Sequence, residues 1–126
     1  METKIEKGRA LVLVGPRGCG KTTLARKLAE EEGLYREIGW HDLEPEFKSW
    51  LDVQIKTIIV DGFPARCAAL EQVEQYVTAD QIKVNRKMLP AGVVPAPNFI
   101  FCIDDEKLLK HSDGRLFNVV HLGAAG

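Results

Sequence analysis

The run Gly15-Pro16-Arg17-Gly18-Cys19-Gly20-Lys21-Thr22 directly follows the apolar segment Ala10-Leu11-Val12-Leu13-Val14 and opens a stretch of helix-forming residues. A strand, a Gly-rich turn and a helix start in immediate succession put several backbone N–H groups and the positive end of a helix dipole around a polyphosphate. The chemistry then needs a cation and a hydroxyl at set offsets. Lys21 is placed to reach β- and γ-phosphates, and the Thr22 hydroxyl to ligate Mg²⁺. A turn that merely joined a core strand to a surface helix would not require glycine, lysine and threonine at these positions. The predicted nucleotide-binding set is therefore Gly15, Pro16, Arg17, Gly18, Cys19, Gly20, Lys21, Thr22 and Thr23, with Arg17 near phosphate or solvent and given no further role.

With 126 residues and 45% hydrophobic content, the chain is the size of one domain with one substantial core, so residues 1–126 are expected to form a single unit. A net charge of −1 gives no global pull toward nucleic acid, and any such contact must come from a local basic cluster. Cys19, Cys67 and Cys102 are odd in number and lack metal-ligand spacing, which fits reduced thiols used for packing in a cytosol. The opening residues are charged and no apolar run reaches membrane-spanning length. A soluble cytoplasmic protein with no membrane partner is the expectation.

After the loop, Leu24, Ala25, Leu28 and Ala29 recur at helical spacing opposite Arg26, Lys27 and Glu30, predicting a helix over Lys21–Glu32 closed by Gly33. Tyr35–Gly39 reads as a short strand and 46–53 as a short helix with Phe47, Trp50 and Leu51 on one face. Thr57–Asp61 is a β-branched apolar run ending in an acid, the pattern of a buried parallel strand. Residues 65–77 suggest another helix, and 81–87 alternate as the first arm of a hairpin. The prolines from 90 to 97 exclude a regular central strand there and leave a turn plus an edge segment. Asn98–Ile103 is a second buried strand, 105–111 a short helix, and 116–122 a final strand. The predicted fold is α/β: a three-layer, mostly parallel sheet with helices on both faces and a β-hairpin insertion near 81–97. In such a fold ligand sits at the carboxyl ends of the strands, which here carry Gly15, Asp61 and Asp104.

Asp61 is placed to hold Mg²⁺, directly or through water, beside the alternative of a turn aspartate before Gly62-Phe63-Pro64. Its neighbour Gly62 leaves no second carboxylate there to polarise an attacking water. Asp104 and Asp105 end a strand and are open to two uses, a polar group aimed at the γ-phosphate or an N-cap for the next helix. Lys83, Arg86 and Lys87 form a basic group on the hairpin, suited to phosphate contacts or to a solvated face. Arg115 fits either a cation reaching a neighbouring subunit's phosphate or a surface residue of the Asp113-Gly114 turn. His41, His111 and His121 have no partner acid at fixed spacing and read as surface or core residues, as Trp40 and Trp50 read as core.

From about residue 9 to 122 the chain resembles a P-loop NTPase of the superfamily 3 helicase type, the ATPase core of small-virus replication initiators within the AAA+ group. The resemblance is carried by the 15–22 loop, Ile-Ile-Val-Asp at 58–61, Ile-Lys-Val-Asn-Arg-Lys at 82–87, Pro-Asn-Phe-Ile-Phe-Cys-Ile-Asp at 97–104 and Arg-Leu-Phe-Asn-Val-Val at 115–120. It implies ATP and Mg²⁺ as cofactors, Lys21 and Thr22 holding them, Asp61 as the second-motif acid and Lys87 on a hairpin facing DNA. It also implies that Asp104 stands at the polar sensor position, usually Asn, and Arg115 at the arginine finger, in catalytic roles beside Lys21 and Asp61. The partners that follow are nucleotide, single-stranded DNA or RNA, and further copies of the chain.

Two other readings stand beside this one. Asp-Gly-Phe-Pro-Ala at 61–65 is similar to the Asp-Gly-Phe-Pro-Arg segment of adenylate kinases, although Ala65 replaces the arginine. A kinase would set the Asp61 strand directly beside the Leu11–Val14 strand, whereas the helicase-like fold inserts Asn98–Ile103 between them. Gly62 suggests a nucleotide-dependent binding switch with little hydrolysis.

Overall fold

The computed structural model describes residues 5, 9–16, 20–39, 55–61, 75, 77, 81–84, 92–103 and 117–122. In chain order these form β1 (Ala10–Val14), α1 (Lys21–Glu32), β2 (Tyr35–Gly39), β3 (Thr57–Asp61), β4 (Gln81–Val84), β5 (Gly92–Pro95), β6 (Asn98–Ile103) and β7 (Phe117–His121). The expected segments 46–53 and 105–111 lie outside the described residues, as do Trp40, Trp50, His41, His111, Cys19 and Cys67. Of the expected helix over 65–77, Gln75 and Val77 are described and are helical.

Five strands pair in the order β2-β3-β6-β1-β7, and every pairing is parallel. Parallel neighbours cannot be joined by tight turns, so the connections must cross over the faces of the sheet. All five residues of β1 are buried, as are the first four of β3 and the last five of β6. Because alternate residues of a strand point to opposite faces, consecutive buried positions mean that both faces of these three strands are covered. The α/β layering read from the sequence is thus the observed one.

Helix α1 covers one face. Ala25 and Ala29 are fully buried, and their small side chains let the helix approach Leu11, Leu13, Ile59, Ile100 and Cys102, while Leu24 and Leu28 flank the contact half-buried. The opposite face is lined by Val12, Val14, Ile58, Val60, Phe99, Phe101 and Ile103, all buried, and the rings of Phe99 and Phe101 stack with centroids 6.0 Å apart. Cys102 is a buried thiol outside any disulfide, as its apolar strand context predicts.

At the far end of α1, Gly33 takes φ 132° and ψ −149°, so the helix closes on a glycine without the usual left-handed helical cap. A side chain there would also press against Lys56, whose Cγ lies 3.0 Å from the added Cβ position. Arg26 donates from Nε to Glu37 Oε2 at 3.0 Å and from Nη2 to Glu37 Oε1 at 2.9 Å, tying α1 to β2. Hydrogen bonding to Glu37 and then its charge raise the Arg26 pKa further, so this fork stays charged at any ordinary pH.

β4 and β5 form a separate antiparallel pair with Ile82 opposite Val94 and Lys83 opposite Val93. The prolines that excluded a central strand are compatible with this two-stranded edge, in which Gln81 is opposite Pro95. Two residues, Ala96 and Pro97, connect the hairpin to β6. No helix among the described residues is long and apolar enough to cross a membrane.

Candidate functional site

The carboxyl ends of β1, β3, β6 and β7 meet at one edge of the sheet, where β1 passes into the loop. Gly15 donates its backbone N–H to the Ile103 carbonyl at 3.2 Å, and Leu122 donates to the Val14 carbonyl at 2.7 Å. The strand entering the loop is therefore clamped between the ends of β6 and β7. This fixes the start of the loop; α1 fixes its end.

Gly20 is the residue before α1 and sits in the left-handed region at φ 91°, ψ 17°. Its carbonyl accepts the Leu24 N–H at 3.0 Å, the first helical hydrogen bond. A Cβ built on Gly20 would have no atom within 4 Å, so the requirement for glycine is conformational and not steric. Gly20→Ala is accordingly expected to destabilise the fold by about 1–2 kcal/mol, the cost of a left-handed L-residue, and denaturant unfolding measures it. A cost near zero would mean that the loop can relax to another conformation.

The first turn of α1 contains no acid, and no side chain caps its N-terminus. Ordinary helices place a carboxylate or capping hydroxyl there because the first backbone N–H groups lack helical partners. Here the charges run the opposite way, with Lys21 at the positive end and Glu30, Glu31 and Glu32 in the last turn. A helix that forgoes its own cap and adds a cation beside its positive pole suits an external anion. Lys21 is half-buried, and its Nζ donates a hydrogen bond to the Gly15 carbonyl, closing the loop on itself. Thr22 is half-buried in the same turn and Thr23 is exposed.

Asp61 ends β3 and is exposed, in contrast to the four buried residues before it. By strand alternation it shares a face with Ile59, which packs in the core beneath α1. It stands level with Cys102 of β6, and β6 separates it from β1. Two interstrand spacings put it roughly 10 Å across the sheet from the loop strand, on the helix side. This distance suits a carboxylate that acts on a phosphate-bound cation through water. These residues fit a nucleotide with Mg²⁺: an uncapped helix start, a cation, a hydroxyl and one acid on a common face.

Gly15, Pro16, Gly20, Lys21, Thr22, Thr23 and Asp61 thus gather at one end of the sheet. Arg17, Gly18, Cys19, Asp104, Arg115, Arg86 and Lys87 lie outside the described residues, although Ile103 brings the chain to the Gly15 amide one position before Asp104. Lys83 falls within β4, in the separate two-stranded sheet. Sequence reasoning did not find two features: the Arg26–Glu37 fork, whose partners are joined only by tertiary packing, and the placement of His121 and Leu122 beside Val14.

The model of the family described as ABC transporter matches residues 1–88. No curated protein matches the chain. Among solved structures, the apo structure of the NrS-1 C-terminal region (305–718) superposes with a TM-score of 0.74 at 23% identity, covering 92% of this chain and 30% of that one. The A form apo structure of the same region gives 0.70 at 23% identity, over 93% and 29%. A second A form apo structure (305–718) gives 0.70 at 22%, over 92% and 28%. The chain spans less than a third of the length of these structures, and at such identities the likeness is one of fold. Because the matching family model takes in β1, the phosphate loop, α1 and β3, and more than half of the chain, the protein belongs to the ABC transporter family and carries its ATP-binding P-loop NTPase domain.

Proposed function

We propose that the domain is an Mg²⁺-dependent ATPase whose core is of the superfamily 3 helicase, AAA+ type, working on single-stranded nucleic acid. The observation that carries this reading is the strand order: β6 lies between β1 and β3. An adenylate-kinase-like fold would set the Asp61 strand against β1, so the order speaks against phosphate transfer to a second nucleotide. It sets the carboxyl end of β6, at Ile103, between the phosphate-loop strand and the Asp61 strand.

In this reading the backbone of 15–20 and the start of α1 bind the phosphates, Lys21 neutralises β- and γ-oxygens, and Thr22 and Asp61 hold Mg²⁺. A cation held by Thr22 and Asp61 would supply positive charge to offset the negative charge that develops on the phosphate oxygens. Asp104 is assigned to the γ-phosphate or the attacking water, and Arg115 to the phosphate of a neighbouring copy in an oligomer. The hairpin, with Lys83, Arg86 and Lys87, is assigned to the nucleic-acid backbone, and its contacts should weaken steeply with salt.

Phosphate release from ATP, measured with and without single-stranded DNA and beside a coupled assay for transfer to AMP, tests the reading. Stimulation by DNA supports it; phosphorylation of AMP would replace it with the kinase. Binding without any phosphate release would support the switch that Gly62 suggests. For Asp61→Asn we expect a folded protein with turnover reduced at least ~10-fold and a weaker Mg²⁺ response, since a neutral amide is a poorer partner for a hard cation and its waters. Thermal shifts with ATP, with and without Mg²⁺, separate this from a structural role, which predicts lower stability and an intact Mg²⁺ response.

A further inference from the structure

We propose that Leu24, Val120 and Leu122 form an aliphatic shelf for the nucleobase, so that the site accepts nucleoside triphosphates with little regard to which base they carry. This rests on the nucleotide reading above. Lys21 and Asp61 define the γ-end of a bound triphosphate, and Asp61 lies on the β3 side of the loop strand. The nucleoside end must then leave the loop on the other side, toward β7.

On that side the α1-facing positions of the strand are Val120 and Leu122, which pack half-buried against the core together with Leu24 from the first turn of α1. His121 points to the other face by strand alternation. The next polar side chain on this face of β7 is Asn118, roughly 13 Å below Leu122 along the strand. The Leu122 N–H is already committed to the Val14 carbonyl at 2.7 Å. Among the described residues, therefore, this stretch of β7 offers a base apolar surface and no side chain that could read its edge. Discrimination between bases needs buried polar groups that a wrong base would leave unpaired.

Calorimetry on the whole chain with ATP, GTP and inorganic tripolyphosphate, each with Mg²⁺, tests this. ATP and GTP should bind within about threefold of each other, and both more tightly than tripolyphosphate. Leu122→Ala should weaken both nucleotides about tenfold, the loss of a partly buried aliphatic contact, and leave tripolyphosphate unchanged. Leu122→Met, which conserves volume, should keep the affinities of the parent. A difference between ATP and GTP beyond about thirtyfold in the unmodified chain overturns the inference whether or not the variants fold. So does a Leu122→Ala protein, melting like the parent, whose nucleotide affinities are unchanged or fall no more than its tripolyphosphate affinity. If neither nucleotide nor tripolyphosphate binds, the phosphate site itself is refuted and the shelf with it.

Discussion

Lys21→Ala should lose Mg-ATP affinity by roughly 100-fold or more while the domain stays folded, as calorimetry and circular dichroism on the same sample would show. Lys21 is half-buried at the start of α1, and its amine donates to the Gly15 carbonyl, within the loop. Its truncation therefore removes no part of the core formed by Ala25, Ala29 and the sheet. What it removes is a cation beside a helix end that already lacks acid and cap. Hydrogen bonds to charged groups contribute about 1.5–3 kcal/mol each, and a polyphosphate accepts more than one. A folded variant with unchanged affinity would sink the assignment of residues 15–22 to phosphate.

The second large effect belongs to the opposite face. Phe101 is 1% exposed at the middle of β6, between β1 and β3, with its ring stacked on Phe99. Truncation to alanine leaves a cavity that the paired strands cannot close, and we expect a loss of about 3–5 kcal/mol in urea unfolding. Domains of this kind hold about 5–15 kcal/mol in total, so the variant should melt far below the parent. Phe101→Leu, which keeps most of the volume, should lose about 1.5 kcal/mol or less. A loss under about 1 kcal/mol for Phe101→Ala would show that this face is not close-packed and that β6 is not the central strand. Because β6 also holds the Gly15 amide through Ile103, the same variant should weaken nucleotide binding indirectly.

The two substitutions separate what was readable from what was not. The loop and its helix were readable because their signals are local. Gly20 must take a positive φ, Leu24, Ala25, Leu28 and Ala29 mark one face, and Gly33 ends the helix, all within a few residues of where they act. The strands β1, β3 and β6 likewise declare themselves through short apolar or β-branched runs, and their observed bounds, like those of β2, coincide with the expected ones. The function class follows from the same local evidence, since a polyphosphate cradle is built from consecutive backbone amides.

Strand order was beyond local reading. The sequence alone left two orders open, with the Asp61 strand either against β1 or one place removed, because pairing joins residues as far apart as Val14 and Ile103 and depends on which apolar faces bury one another. The tertiary structure inserted β6, placed Asp61 across the sheet from the loop, and brought Leu122 against Val14 on the opposite side of the loop strand. The residues proposed to bind phosphate are adjacent in the chain. The positions of Asp61 and Leu122 relative to the loop were decided only when distant strands, three of them buried on both faces, found the arrangement that covers them.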